Sequence, residues 1–155
     1  MPTRKALRLR FLDYSTPGLY FITVCAHGRR RILGEIYNDQ VVLRAAGLIV
    51  ERQIEQLPER LAGVGLDSFV VMPNHVHALV QLHERARQAS PLRVVVGAFK
   101  SGSTRQINLL RGTPGAHVWQ RGYYDHVIRD EADLMRAREY IETNPIRWAL
   151  DPENV

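Results

Sequence analysis

The sequence predicts an α+β chain: a ferredoxin-like βαββαβ antiparallel sheet with an added C-terminal helix. Three observations predict it. Segments rich in β-branched and aromatic residues alternate with helical segments in that order. Pro73-Asn74 joins two of the strand segments directly, as a turn does. A segment with its own capping signal then follows the last strand.

The first strand is read at Gly18 to Ala26 (GLYFITVCA), between Pro17-Gly18 and His27-Gly28. Gln40 to Leu57 places apolar residues at roughly helical spacing, with Pro58 closing the helix. Asp67 to Met72 and His75 to Leu82 are the second and third strands, a hairpin across Pro73-Asn74. Pro91 to Leu110 is the second helix, and Val118 to Arg129 the fourth strand, its bulk near Tyr123 to Ile128. Asp130 caps a final helix that runs to Asn144, with Asp133 at the third helical position. Asn144-Pro145 ends it, because a residue before proline avoids the α region.

The chain has 155 residues, which predicts one domain over 1–155. Its 45% hydrophobic and 24% charged residues exclude disordered, collagen-like and coiled-coil classes. No apolar run approaches the roughly 18 residues of a membrane span. The basic N-terminus has no apolar segment behind it, so a secretory signal is not expected. The single cysteine, Cys25, excludes an internal disulfide framework and a multi-cysteine zinc site. A cytoplasmic protein without membrane contact is expected.

The net charge is +5 and the pI near 9.8, a balance that suggests a nucleic-acid partner. The bases are segregated. Arg4, Lys5, Arg8, Arg10, Arg29, Arg30 and Arg31 face one acid, Asp13, in the first 31 residues. Arg87, Arg93, Lys100, Arg105, Arg111 and Arg121 face none between Ala86 and Gly122. Such segregation builds a phosphate-facing surface or, more simply, a solvated basic face.

His75 and His77 stand at i and i+2 on a strand and so point to one face. They read as half of a metal site or as satisfied polar strand residues. Tyr140 and Asn144, four apart on the last helix, share a face with Arg136 one turn earlier. They read as a nucleophile and an oxygen ligand, or as a packed aromatic and a helix-end residue.

Together these residues form a pattern. Met72-Pro73-Asn74-His75-Val76-His77-Ala78-Leu79-Val80 is a histidine-hydrophobic-histidine motif. Trp119-Gln120-Arg121-Gly122-Tyr123-Tyr124-Asp125-His126-Val127-Ile128-Arg129 and Tyr140-Ile141-Glu142-Thr143-Asn144-Pro145 follow it. With these motifs, Tyr14-Ser15 and the first strand, the sequence resembles the REP-associated tyrosine transposases. These belong with the single-tyrosine transposases of the HUH superfamily, and the likeness spans nearly the whole chain.

The resemblance implies a DNA nicking and joining enzyme. Tyr140 would be the catalytic nucleophile, with Tyr123 and Tyr124 as rivals that lack a ligand four residues on. His75, His77 and Asn144 would hold a divalent metal, Mg²⁺ or Mn²⁺. The attack would give a 5′-phosphotyrosine bond and a free 3′-OH. His126 could order a ligand imidazole, contact phosphate or only fill the sheet face, and Asp125 could accept from a ligand histidine as a second shell. The implied partner is single-stranded DNA with hairpin or palindromic repeats, which would make the protein nucleoid-associated. Arg4, Lys5, Arg8, Arg10, Arg29, Arg30, Arg31, Lys100, Arg105, Trp119 and Arg121 are the candidate DNA-binding residues, Trp119 reading equally as a surface for an unpaired base or as a half-buried core tryptophan. The resemblance leaves a homodimer open. The alternative is a non-catalytic, domesticated binder of single strands or hairpins on the same fold.

Overall fold

Alternation along the first strand sets the architecture. Tyr20, Ile22 and Val24 point to one side, Phe21, Thr23 and Cys25 to the other, and all six are buried. The strand must therefore be covered on both faces. The structure, a computed structural model, describes residues 18–83 and 91–154. In chain order its main elements are β1 (Gly18–Cys25), β2 (Gly34–Tyr37), β3 (Gln40–Leu43), α1 (Ala45–Glu55), α2 (Leu57–Arg60), β4 (Val64–Met72), β5 (His75–Leu82), α3 (Leu92–Arg111), β6 (Tyr124–Val127) and α4 (Glu131–Thr143).

The main sheet has the order β4-β5-β1-β6 and is antiparallel throughout. With α1 after β1 and α3 after β5, this is the ferredoxin-like βαββαβ arrangement, and α4 is the added helix. One face carries the larger core. There Tyr20, Ile22, Val24, Val76, Ala78 and Val80 meet Val50 and Ile54 of α1 and Val95, Phe99 and Ile107 of α3. The other face carries a smaller cluster in which Phe21 and Leu79 meet Ala137 and Ile141 of α4.

The structure departs from the sequence expectations at four places. Gln40–Leu43 is not the start of a helix but the second arm of a hairpin, paired with Gly34–Tyr37. Asn38 and Asp39 both have positive φ, 50° and 62°, as the turn of a two-residue hairpin requires. Pro58 does not close α1; it sits in the first turn of α2, where its missing N–H costs nothing. Val118 to Arg129 is not one strand. Trp119 bridges Ala26 at the end of β1, a turn with Gly122 at φ 79° intervenes, and the ladder resumes only at Tyr124. Asn144 ends α4 yet keeps α dihedrals (φ −57°, ψ −43°) despite Pro145.

The other ends follow the expected chemistry. Asp130 caps α4 by accepting the Asp133 N–H at 2.7 Å, and the Asp133 carboxylate accepts the Arg129 N–H at 3.2 Å. Gly112 ends α3 in the left-handed conformation. β4 carries an irregularity between Leu66 and Ser68, which leaves Asp67 out of the register with β5. Asp67 instead takes a bidentate grip from Arg138 of α4, at 3.0 and 2.6 Å. No helix among the described residues is long and apolar enough to cross a membrane.

Candidate metal and tyrosine site

Strand register builds the site. On the α4 face, Thr23 pairs with His77 and Cys25 with His75. Both imidazoles are thus fixed on β5, which is flanked on either side by another strand, and both are buried. Their Nε2 atoms converge to 3.0 Å. His75 Nδ1–H donates to Asn74 Oδ1 at 2.8 Å, and His77 Nδ1 lies 2.9 Å from Thr23 Oγ1. Each ring is therefore oriented through one nitrogen while the other faces its neighbour, as in metal-ligand pairs. Burial, reinforced by the adjacent His75 ring, pushes the His77 imidazole well below its usual 6.5. It is neutral near pH 7, the state a ligand needs.

α4 brings the remaining candidates. Ala137 and Ile141 bury its apolar side against Phe21 and Leu79, which turns Tyr140 toward the histidines. The Tyr140 ring meets the His77 ring edge-on at 5.2 Å between centroids, and Phe21 at 5.9 Å. One turn later Asn144 is buried, its Nδ2 donating to Asp151 Oδ2 at 2.8 Å. Asn144 Oδ1 is buried with no hydrogen-bond partner. A buried amide oxygen left in this state is costly, and a cation would satisfy it. The donor set fits a divalent metal. Two nitrogens 3.0 Å apart match the bite of bonds of about 2.1 Å meeting near a right angle.

One buried carboxyl beside the histidines is absent from the sequence candidates. Asp151 Oδ2 lies 3.6 Å from His75 Nε2, and the donor atoms of His75, His77 and Asp151 all lie within 4.8 Å of one another. Asp151 arrives on the segment after α4, whose short 3-10 turn Trp148–Leu150 returns the chain over the strand ends. Trp148 stacks on His75, with centroids 6.1 Å apart and planes 24° apart. Glu153, also buried, receives Cys25 Sγ at 3.5 Å and lies 3.7 Å from Arg29 Nε. Asn74 was legible as part of the motif, but Asp151 follows no motif or periodicity.

The other site candidates separate. Asp125 pairs with Ile22 in the ladder and therefore faces the large core, on the opposite side of the sheet from His75 and His77. Its proposed role beside the histidines is corrected accordingly. His126 is on the correct face but turned to the first turn of α4, where its Nε2–H donates to both Asp133 oxygens at 2.9 and 2.8 Å. Burial pushes the Asp133 carboxyl up, but the Arg129 amide and His126 outweigh it and hold it below its usual 3.8. His126 therefore anchors the tyrosine helix rather than a ligand histidine.

Trp119 is buried, its ring 5.4 Å from Phe99 and its N–H donated to Ser103 Oγ at 2.9 Å, so it offers no surface to a base. Lys100 donates to the Gln120 and Gly122 carbonyls at 2.8 and 2.5 Å. Burial pushes its ammonium below the usual 10.5. It braces the loop before β6. Arg105 and Arg121 are exposed and line an open groove of about 690 Å³ between α3 and residues 115–122. Arg31 donates to Asn154 Oδ1 and covers the Trp148 ring at 5.4 Å, and Arg30 is exposed beside it. Tyr123 packs against the large core, and Tyr124 pairs with Thr23 at the edge of the site. Arg4, Lys5, Arg8, Arg10 and Tyr14-Ser15 lie outside the described residues.

A sheet of this topology with two convergent histidines and a helix-borne tyrosine defines a class, and comparison with known proteins agrees. The family described as "Transposase IS200 like" matches residues 20–144. The chain belongs to that family. An uncharacterized protein of Haemophilus influenzae is 33% identical over 166 residues, covering 96% of this chain and 91% of its own length. A second protein of that organism, named as a REP-associated tyrosine transposase, is 27% identical over 140 residues, covering 87% and 74%. Among solved structures, a REP-associated tyrosine transposase bound to a REP hairpin aligns with a TM-score of 0.67 at 19% identity, over 93% of this chain and 74% of that one. A structure from Deinococcus radiodurans, named as a transposase, aligns with a TM-score of 0.50 at 20% identity, over 87% and 95%. These two structures share the fold.

Proposed function

We propose that this protein nicks and rejoins single-stranded DNA through Tyr140. The observation that carries the reading is the Tyr140 ring against His77, with Asn144 one helical turn on. The Tyr140 oxygen attacks phosphorus, forming a tyrosine–phosphate bond as the bond to the 3′ oxygen breaks. The phenol gives up its proton, and the departing oxygen takes one up as a 3′-OH. Attack by a 3′-OH on the 5′-phosphotyrosine reverses the sequence and joins strands without an external energy source.

A phenol with an ordinary pKa of about 10 needs help to attack at neutral pH. A divalent cation, Mg²⁺ or Mn²⁺, on His75, His77 and Asn144 Oδ1 would supply positive charge against a non-bridging phosphate oxygen, and imidazole ligands favour Mn²⁺. The chain's own residues do the positioning. Thr23 and Asn74 hold the two rings, and Phe21 and Leu79 seat α4 so that Tyr140 approaches them. Tyr140 and His77 meet within one chain, which favours attack in cis. The exposed Arg30, with Arg105 and Arg121 along the groove, would meet the phosphates of a single strand next to a hairpin.

The test uses single-stranded oligonucleotides carrying palindromes from the DNA flanking the coding region, incubated with protein and Mn²⁺ or Mg²⁺. A protease-sensitive protein–DNA band on a denaturing gel is expected, lost with EDTA and in Tyr140→Phe. A band that persists in Tyr140→Phe would transfer the role to Tyr124 or Tyr123. Hairpin binding without any adduct would favour the non-catalytic binder.

A further inference from the structure

The segment after α4 supplies a group that the family's motifs do not contain. The Asp151 side chain is wholly buried, although a carboxylate loses much hydration on burial unless a cation or several donors replace it. Its donors are the Asn144 side-chain amide at 2.8 Å and the Glu153 backbone N–H at 2.8 Å. No Lys or Arg reaches it among the described residues; its one ion-pair neighbour is His75 Nε2 at 3.6 Å. A carboxyl group is therefore buried beside two imidazole nitrogens that are themselves 3.0 Å apart.

From this we propose that Asp151 is itself a ligand of the divalent cation, so that the segment from Trp148 to Asn154 is part of the metal centre rather than a covering over it. The inference rests on the metal site proposed above. It explains three features together. The carboxylate gains a cationic partner. The Asn144 amide is fixed with its N–H toward Asp151, which directs its orphaned Oδ1 away from that carboxylate. Trp148 and Arg31 then hold the segment in place over His75. An anionic oxygen donor beside two imidazoles makes the set harder than the neutral one and suits Mg²⁺ and Mn²⁺ alike. Metal binding and docking of this segment become one equilibrium: each stabilises the other by the same factor.

The test measures Mn²⁺ binding to the full chain without DNA, by calorimetry and by the EPR signal of free Mn²⁺ after chelator treatment. Asp151→Asn, which keeps size and a hydrogen-bond acceptor, and Asp151→Ala are each expected to weaken Mn²⁺ at least about tenfold. Leu150→Ser, on an exposed side chain of the same segment, should bind like the parent. Hydrogen exchange of residues 148–154 should slow on adding Mn²⁺ to the parent but not to Asp151→Ala. Affinity in either Asp151 variant within about threefold of the parent, or tighter, overturns the assignment. His75→Ala separates the two claims. If it abolishes binding while the Asp151 variants do not, only the Asp151 assignment fails. If it also binds like the parent, the metal site itself is wrong.

Discussion

The two faces of one pair of strands differ more than any two elements of the molecule. On β1 and β5, Tyr20, Ile22 and Val24 pair with Val80, Ala78 and Val76 and disappear under α1 and α3. The alternate residues, Thr23 and Cys25, pair with His77 and His75 and lie beneath α4 and the segment that follows it. Both faces are buried to a similar degree. Beneath α1 and α3 the strands bury mainly hydrocarbon; beneath α4 imidazole, hydroxyl and carboxylate lie beside the smaller Phe21–Leu79 cluster. Because the side-chain period is two, the same backbone supplies rigidity on one side and reactive groups on the other. The histidines are positioned by the packing of the opposite face of the same strands.

The sharpest way to break this comparison is to remove a group from each face. His77→Ala is expected to slow adduct formation by about 100-fold or more while the melting temperature stays within a few degrees. The gel assay and a thermal melt check it together. A large fall in melting temperature would mean that the faces are not separable. Ile22→Ala should do the converse. It should cost about 2–5 kcal/mol in urea unfolding, with the adduct rate per folded molecule little changed.

Two glycines of α3 sharpen the picture within the large core. A Cβ on Gly102 would run into Gln53 Oε1, which Arg60 holds at 2.8 Å, so Gly102→Ala should cost about 1–3 kcal/mol. Gly97 has open space around it on the exposed side of the helix, and Gly97→Ala should stabilise by about 0.5–1 kcal/mol. Denaturant melts of the two variants should therefore move in opposite directions.

The smallest effect concerns the clasp of α4 on β4. The Arg138 guanidinium bonds Asp67 and holds its carboxyl below the usual 3.8. A lowered carboxyl contributes stability above its unfolded value, which is lost as pH falls through the folded one. The pair is solvent-screened, so Asp67→Asn should cost less than about 1 kcal/mol at pH 7, and the difference from the parent should vanish below its folded value. Thermal melts at pH 7 and pH 2 test this.

Much of the site is legible in the sequence. The period of two exposed His75 and His77 as same-face residues, and the four-residue spacing did the same for Tyr140 and Asn144. Both are local regularities, which sequence carries well. The β2–β3 hairpin was not read, because Val41 and Val42 fit a helical period as easily as a strand, and the deciding signal was the Asn38-Asp39 turn. Residue type leaves Trp119 open between a base-stacking surface and a core position, and the charge pattern puts Lys100 on a DNA surface. Type says nothing of direction: Trp119 found Ser103, and Lys100 found two backbone carbonyls. Asp125 was misplaced because the ladder register puts it beside Ile22, and the register depends on where β6 begins. Asp151 could not be read at all, since its place depends on how the chain turns back after Pro145.

The edge-on approach of Tyr140 to His77 gives the site its own spectroscopic reporter. A proton held near an aromatic ring experiences that ring's circulating electrons, and its magnetic resonance shifts steeply with small displacements. With 5.2 Å between the two centroids, the carbon-bound protons of His77 should resonate away from ordinary histidine positions. Those lines would follow every departure of the tyrosine helix from the sheet, in a tube that holds neither metal nor DNA.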